Sequence, residues 1–186
     1  MVAVDDDADR GEPTPCGRTE SLELARRVEQ LVSDYQSNAA YQQALRLLVR
    51  REHSRAELQR KLRQRSIEPA LIEPLLQRLE AEGLLSDTRY VESYIRQRRD
   101  RGYGPLRIAA ELRQRGIDRA NAERALRQIE SDWFALALRV RQKRFNHLRA
   151  DDFPNRAKAA RYLQQRGFDS DQIRAALIDD EHATDM

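Results

Sequence analysis

The chain has 186 residues, 35% of them charged and only 6% aromatic, so its core is expected to be aliphatic and spread through thin layers, not gathered into one large globule. A net charge of +3 conceals a segregation: residues 1–40 carry nine acids and four bases, 178–186 four acids and no Lys or Arg, and 41–177 thirty bases against eighteen acids. A basic body between acidic ends calls for a polyanion or an acidic protein surface as partner, and the lone Cys16 excludes a disulfide framework.

Residues 1–20, with four Asp, two Pro and two Gly, have little to pack and are expected to be disordered, the start of an acidic arm spanning 1–37. Within that arm Leu24, Val28, Leu31, Val32 and Tyr35 follow helical spacing and predict a short amphipathic helix over 21–35, which Ser37-Asn38 ends. A first repeat over 38–85 then opens with a helix from Asn38 to Glu52, turning Tyr41, Ala44, Leu45, Leu48 and Val49 inward. Ser54 and Glu57 form a capping box at its second helix. Pro69 takes the first position of the third, and Pro74 is a point where that helix can bend or restart.

Ser86-Asp87 opens a second repeat, 86–130, whose first helix turns Tyr90, Val91, Tyr94 and Ile95 inward; Gly102-Tyr103-Gly104-Pro105 is its central turn. Ser131-Asp132 opens a third, 131–178, with Trp133, Phe134, Ala137 and Leu138 inward, and 179–186 is an acidic tail. The repeats are visible in register: Leu62/Leu112/Leu163, Ile67/Ile117/Phe168 and Leu76/Leu126/Leu177 stay apolar at offsets of 50 and 51, and Ile72/Ala122/Ile173 varies only in size. Arg65, Arg115 and Arg166 each precede a helix stop, Ser66, Gly116 or Gly167. The fold expected is therefore all-α, an elongated, curved array of three tandem three-helix repeats of about 50 residues.

Catalytic chemistry has little support. His53 and His147 sit near predicted helix C-termini, where a surface histidine complements the dipole, and His182 is in the tail. No metal-ligand spacing, hydrolase elbow or phosphate-binding loop is present, so neither enzyme nor cofactor is expected. Binding chemistry has more. Arg96, Arg98, Arg99 and Arg101 crowd one helix end with only Asp100 nearby to relieve them, and 27 of the thirty bases of the body are Arg, whose fork suits phosphate and carboxylate. With Tyr103 and Arg107 these are the candidate contact residues, and Arg139, Arg141, Lys143 and Arg144 are a second basic group. Tyr90 and Tyr94 read as core, and the recurring Arg65/Arg115/Arg166 as support for helix ends.

Glu80-Ala81-Glu82-Gly83-Leu84-Leu85-Ser86-Asp87-Thr88-Arg89-Tyr90, then Gly102-Tyr103-Gly104-Pro105-Leu106-Arg107-Ile108, then Glu111-Leu112-Arg113-Gln114-Arg115-Gly116-Ile117, resembles the RecX family of recombinase regulators. Arg50 to Leu58 and Lys61-Leu62 resemble the first repeat of that family; the likeness covers about 41–177 and departs from it at Ser66, Ser86 and Thr88. It implies a bacterial cytoplasmic protein that binds the RecA recombinase along its DNA filament and suppresses strand exchange, ATPase and coprotease activities; the chain is expected to be a monomer. Two readings from the residues alone stand beside it: a direct binder of single- or double-stranded DNA, and a helical scaffold for an acidic protein.

Overall fold

The structure, a computed structural model, describes residues 16–129, 132–145 and 153–178, with side chains from Leu22 onward, that of Phe153 excepted. Of residues 1–20, expected to be disordered, 16–20 open a helix and 1–15, like the acidic tail, Ser131, His147 and His182, lie outside the described residues. Those residues form nine helices and no strand: α1 (Cys16–Leu48), α2 (Arg55–Gln64), α3 (Pro69–Ala81), α4 (Asp87–Asp100), α5 (Pro105–Gln114), α6 (Arg119–Gln128), α7 (Trp133–Phe145), α8 (Phe153–Arg166) and α9 (Ser170–Ile178).

Three successive helices enclose each of three cores. Leu58, Leu62, Ile72, Leu76 and Leu79 fill the first with the end of α1; Tyr90, Ile95, Ile108, Leu112 and Leu126 fill the second; Leu136, Ala137, Leu163, Phe168 and Ala176 fill the third. Leu62, Leu112 and Leu163 have no exposed surface, as equivalent positions of one repeated unit should. Trp133 touches both the second and third cores, which makes it the apolar link between those repeats.

Side-chain oxygens start the helices. Ser54 accepts from the Glu57 N–H at 3.1 Å, Asp118 from Asn121 at 2.9 Å, Asp132 from Ala135 at 2.9 Å and Asp169 from Gln172 at 2.8 Å, each relieving one unpaired first-turn donor. The reciprocal half of the box expected at Ser54 is absent, because the Glu57 carboxylate is drawn to Arg51 instead, at 2.5 Å. The full box forms at Asp169, whose N–H donates to Gln172 Oε1 at 3.1 Å. Left-handed residues end the helices: Gly116 (φ 84°) and Gly167 (φ 86°) in repeats two and three, and Ser66, at φ 58°, in repeat one.

Several expectations are corrected. The arm and the first repeat are not separate at Ser37-Asn38, since α1 runs unbroken from Cys16 for 33 residues. Ser and Asn cap a helix only where the chain enters it from an extended conformation; here helical residues precede them. Pro74 neither ends nor restarts α3, which continues to Ala81. Val49 lies just past the end of α1 and Phe134 on the outer side of α7; both are exposed, while Leu136 takes the inward place in α7. His53 is not a surface residue but is 1% exposed, between the Arg51 carbonyl (Nδ1, 2.9 Å) and Lys61 Nζ (Nε2, 2.9 Å).

Candidate binding groove between repeats two and three

The repeats meet through helix ends. At the first junction the Ser54 hydroxyl, at the start of α2, donates to the Arg115 carbonyl at the end of α5 (2.8 Å), and the Arg55 N–H donates to Asp87 Oδ1 (2.7 Å). At the second the Gly104 N–H, at the start of α5, donates to the Arg166 carbonyl at the end of α8 (2.8 Å), and the Leu106 N–H to the Gly167 carbonyl (3.0 Å). At the second junction, backbone donors that a helix start leaves unpaired thus meet acceptors that a helix end leaves unpaired, and at both the start of one helix faces the end of another, so that opposite ends of their dipoles meet. The approach is too close for a side chain. A Cβ on Gly167 would stand 2.3 Å from Arg107 Cβ and 2.4 Å from its nitrogen, and one on Gly116 would stand 2.3 Å from Ala56 Cβ.

The second junction carries most of the predicted binding residues, but divides them. Arg98 turns inward: its Nε lies 2.7 Å from Glu111 Oε2 and 3.0 Å from the Tyr94 hydroxyl. Arg107 joins the same carboxylate at 3.1 Å and donates to the Gln165 carbonyl at 3.0 Å. The Tyr103 ring lies within 5.0 Å of the guanidinium carbons of Arg98, Arg107 and Arg166, so its faces are already used by cations of its own chain. Asp100 is therefore not the only relief for the arginine cluster; Glu111, one helix on, takes up Arg98. Burial raises the pKa of Glu111, but hydrogen bonds from Tyr94 and Arg107 and the charge of Arg98 outweigh that and hold it below the ordinary value.

Arg99 and Arg101 go elsewhere. With Arg139, Lys143 and Arg144 of α7 and Arg166 of α8 they line a groove of about 550 Å³, where Asp100 is the one acid among the described residues and Tyr162 lies against Arg166 at 5.0 Å. Gly102 forms its floor, pressed so near α7 that a Cβ would meet Val140 Cγ2 at 2.7 Å. Arg166 is fixed at the rim by donating from Nη1 to the Arg101 carbonyl at 2.7 Å. Besides Arg98, Tyr103 and Arg107, two more members of the predicted set stand outside this groove. Arg96 lies in a second cleft of about 290 Å³ between α4 and α6, and Arg141 is 6% exposed because its place on α7 faces the third core. Sequence reasoning missed the part played by Arg166 and Tyr162. The trace of Arg166 was its alignment with Arg115, which is likewise half-buried and stacked over Tyr94 at 4.8 Å.

Among the described residues no three His, Cys, Asp or Glu side chains gather to hold a metal ion. No described helix is long and apolar enough to cross a membrane. The groove offers convergent guanidinium and ammonium donors at a repeat junction, chemistry that holds phosphate or carboxylate oxygens.

Comparison with known proteins gives this arrangement a context. The family models for RecX match three stretches: the first three-helix domain at residues 40–79, the second at 86–126 and the third at 130–177. The regulatory protein RecX of Pseudomonas entomophila is 52% identical over 130 residues, 70% of this chain and 84% of that one. Its counterpart in Halorhodospira halophila is 46% identical over 140 residues, 75% and 87% of the two chains. The crystal structure of RecX from Lactobacillus salivarius superposes with a TM-score of 0.71 at 26% identity, covering 80% of this chain and 98% of the other.

Proposed function

The chain belongs to the RecX family of regulatory proteins, and from that premise we propose that it binds the RecA recombinase filament through the groove between repeats two and three, as a non-enzymatic inhibitor of strand exchange, ATPase and coprotease activity. The observation that carries the reading is the groove itself: among the described residues, six bases from α4, α7, α8 and the turn after α4 converge there with one acid. A filament of recombinase on DNA presents acidic side chains and phosphates along a continuous surface, and an array of repeats places its cations at intervals along such a surface. Bacterial cytoplasm is where this partner is found, and modulation of DNA repair, homologous recombination and the SOS response would follow from its inhibition.

Binding to recombinase-coated single-stranded DNA and to bare DNA, compared across a salt series, tests the reading. The protein should hold the coated filament more tightly than bare DNA. If phosphates are among the contacts, the salt slope should drop by roughly 0.9 log unit for each groove cation replaced by Gln. Equal or tighter binding to bare DNA, with no effect on recombinase turnover, would favour a nucleic-acid binder instead.

A further inference from the structure

The 33-residue helix α1 has two faces with different fates. Its C-terminal part turns Ala40, Ala44 and Leu47 into the first core. Upstream, Leu22, Leu24, Val28, Leu31, Val32 and Tyr35 are each between 50% and 77% exposed, with no core of their own to enter. At about 100° per residue, Leu24, Val28, Leu31 and Tyr35 share one face, roughly 160° round from Ala40, Ala44 and Leu47. Because the helix is continuous, this stripe cannot turn back onto its own repeat. Whatever covers it must come from outside the described residues.

We propose that the stripe is the seam of an antiparallel two-helix dimer between two copies of this chain. The spacing of Leu24, Val28, Leu31 and Tyr35, alternating four and three, is that of a two-stranded coiled coil. The flanking charges select the direction. In a two-fold antiparallel pairing that sets Val28 against Leu31 and Leu24 against Tyr35, Arg27 of each copy falls beside Asp34 of the other, twice by symmetry. A parallel pairing would set Arg27 beside Val32 and gain no ion pair. Both charges are exposed in the single chain, where Asp34 accepts only from Gln30 Nε2 at 3.0 Å. The two repeat bodies then sit at opposite ends of a short helical rod with both basic grooves away from the seam. This departs from the monomer expected for the chain, and it stands apart from the recombinase reading.

The seam spans two heptads and covers less than the roughly 800 Å² per partner of a standard interface, so association belongs in roughly the micromolar range and above. Sedimentation equilibrium of the full chain from about 1 μM to 1 mM should show the mass rising from 21.7 kDa toward twice that value. The double variant Leu24→Glu/Leu31→Glu should hold the single-chain mass throughout with an unchanged melting temperature, since the segment lies outside the three cores. Arg27→Asp should weaken the dimer at least about fivefold, since it breaks both symmetry-related pairs, and adding Asp34→Arg should restore it. A parent that stays at the single mass up to 1 mM, or a Leu24/Leu31 variant that dimerises like the parent, overturns the dimer. If Arg27→Asp and the double exchange dimerise equally, the antiparallel register is wrong.

Discussion

Arg98 and Arg101 lie three residues apart at the end of α4 and do opposite things: the first is bound into Glu111, the second lines the groove. Glu111→Gln should therefore cost about 1–3 kcal/mol, because it leaves a half-buried guanidinium without its carboxylate; urea unfolding measures it. Arg101→Gln should stay within about 0.5 kcal/mol of the parent, as an exposed residue whose side chain supports no core. His53 gives a second residue-scale test. Burial, with the charges of Arg51 and Lys61, depresses its pKa against the opposing hydrogen bond to the Arg51 carbonyl. The unfolded chain thus takes up the proton first. Stability is full above about pH 6.5 and falls as the pH drops from there through the lower folded value. The melting temperature should decline across that window in the parent, and His53→Gln should flatten the decline. A parent whose melting temperature holds level from pH 7 to 5 would mean that the imidazole is not held neutral. None of these partnerships could be read from the chain: Arg98 and Glu111 are on different helices, and His53 meets Lys61 across a turn.

Most helix identities were legible, because apolar positions such as Leu62/Leu112/Leu163 recur in register and Ser54 and Gly104 cap α2 and α5; the equivalent Asn155, expected as a cap, instead lies inside α8, which begins at Phe153. The error at Ser37-Asn38 has a local cause, since cap residues are common inside helices when their neighbours already hold helical dihedrals. The helix-end contacts between repeats were hidden because backbone donors and acceptors carry no sequence mark. Only the glycines betray them. Gly167→Ala should destabilise by about 1–3 kcal/mol, through left-handed strain and the clash with Arg107, and should lower the cooperativity of unfolding between repeats two and three. Ser66→Gly, at the equivalent but undocked end of α2, should change stability by no more than about 1 kcal/mol. Leu112→Ala, fully buried on α5, should cost on the order of 2–5 kcal/mol by denaturant titration, and a near-neutral result would contradict the repeat register.

At the scale of the whole molecule, charge and architecture act together. The sequence showed that the body is basic; the fold decides that Arg99, Arg101, Arg139, Lys143, Arg144 and Arg166 share one groove while Arg96 and Arg141 do not. Positions 101 and 139 are too far apart in the chain for any local pattern to join them, and a helix wheel alone does not say which side of α7 a neighbouring repeat will cover. We propose that this groove is the inhibitory surface. Its direct test is to titrate the protein into recombinase assembled on single-stranded DNA, following ATPase rate and filament length together. The parent is compared with a variant in which Arg101, Arg139, Lys143 and Arg144 are all Gln. The variant should keep its melting temperature yet need at least about tenfold more protein for half-inhibition, a loss of about 1.4 kcal/mol. A folded variant that inhibits at the same concentration as the parent would contradict the account.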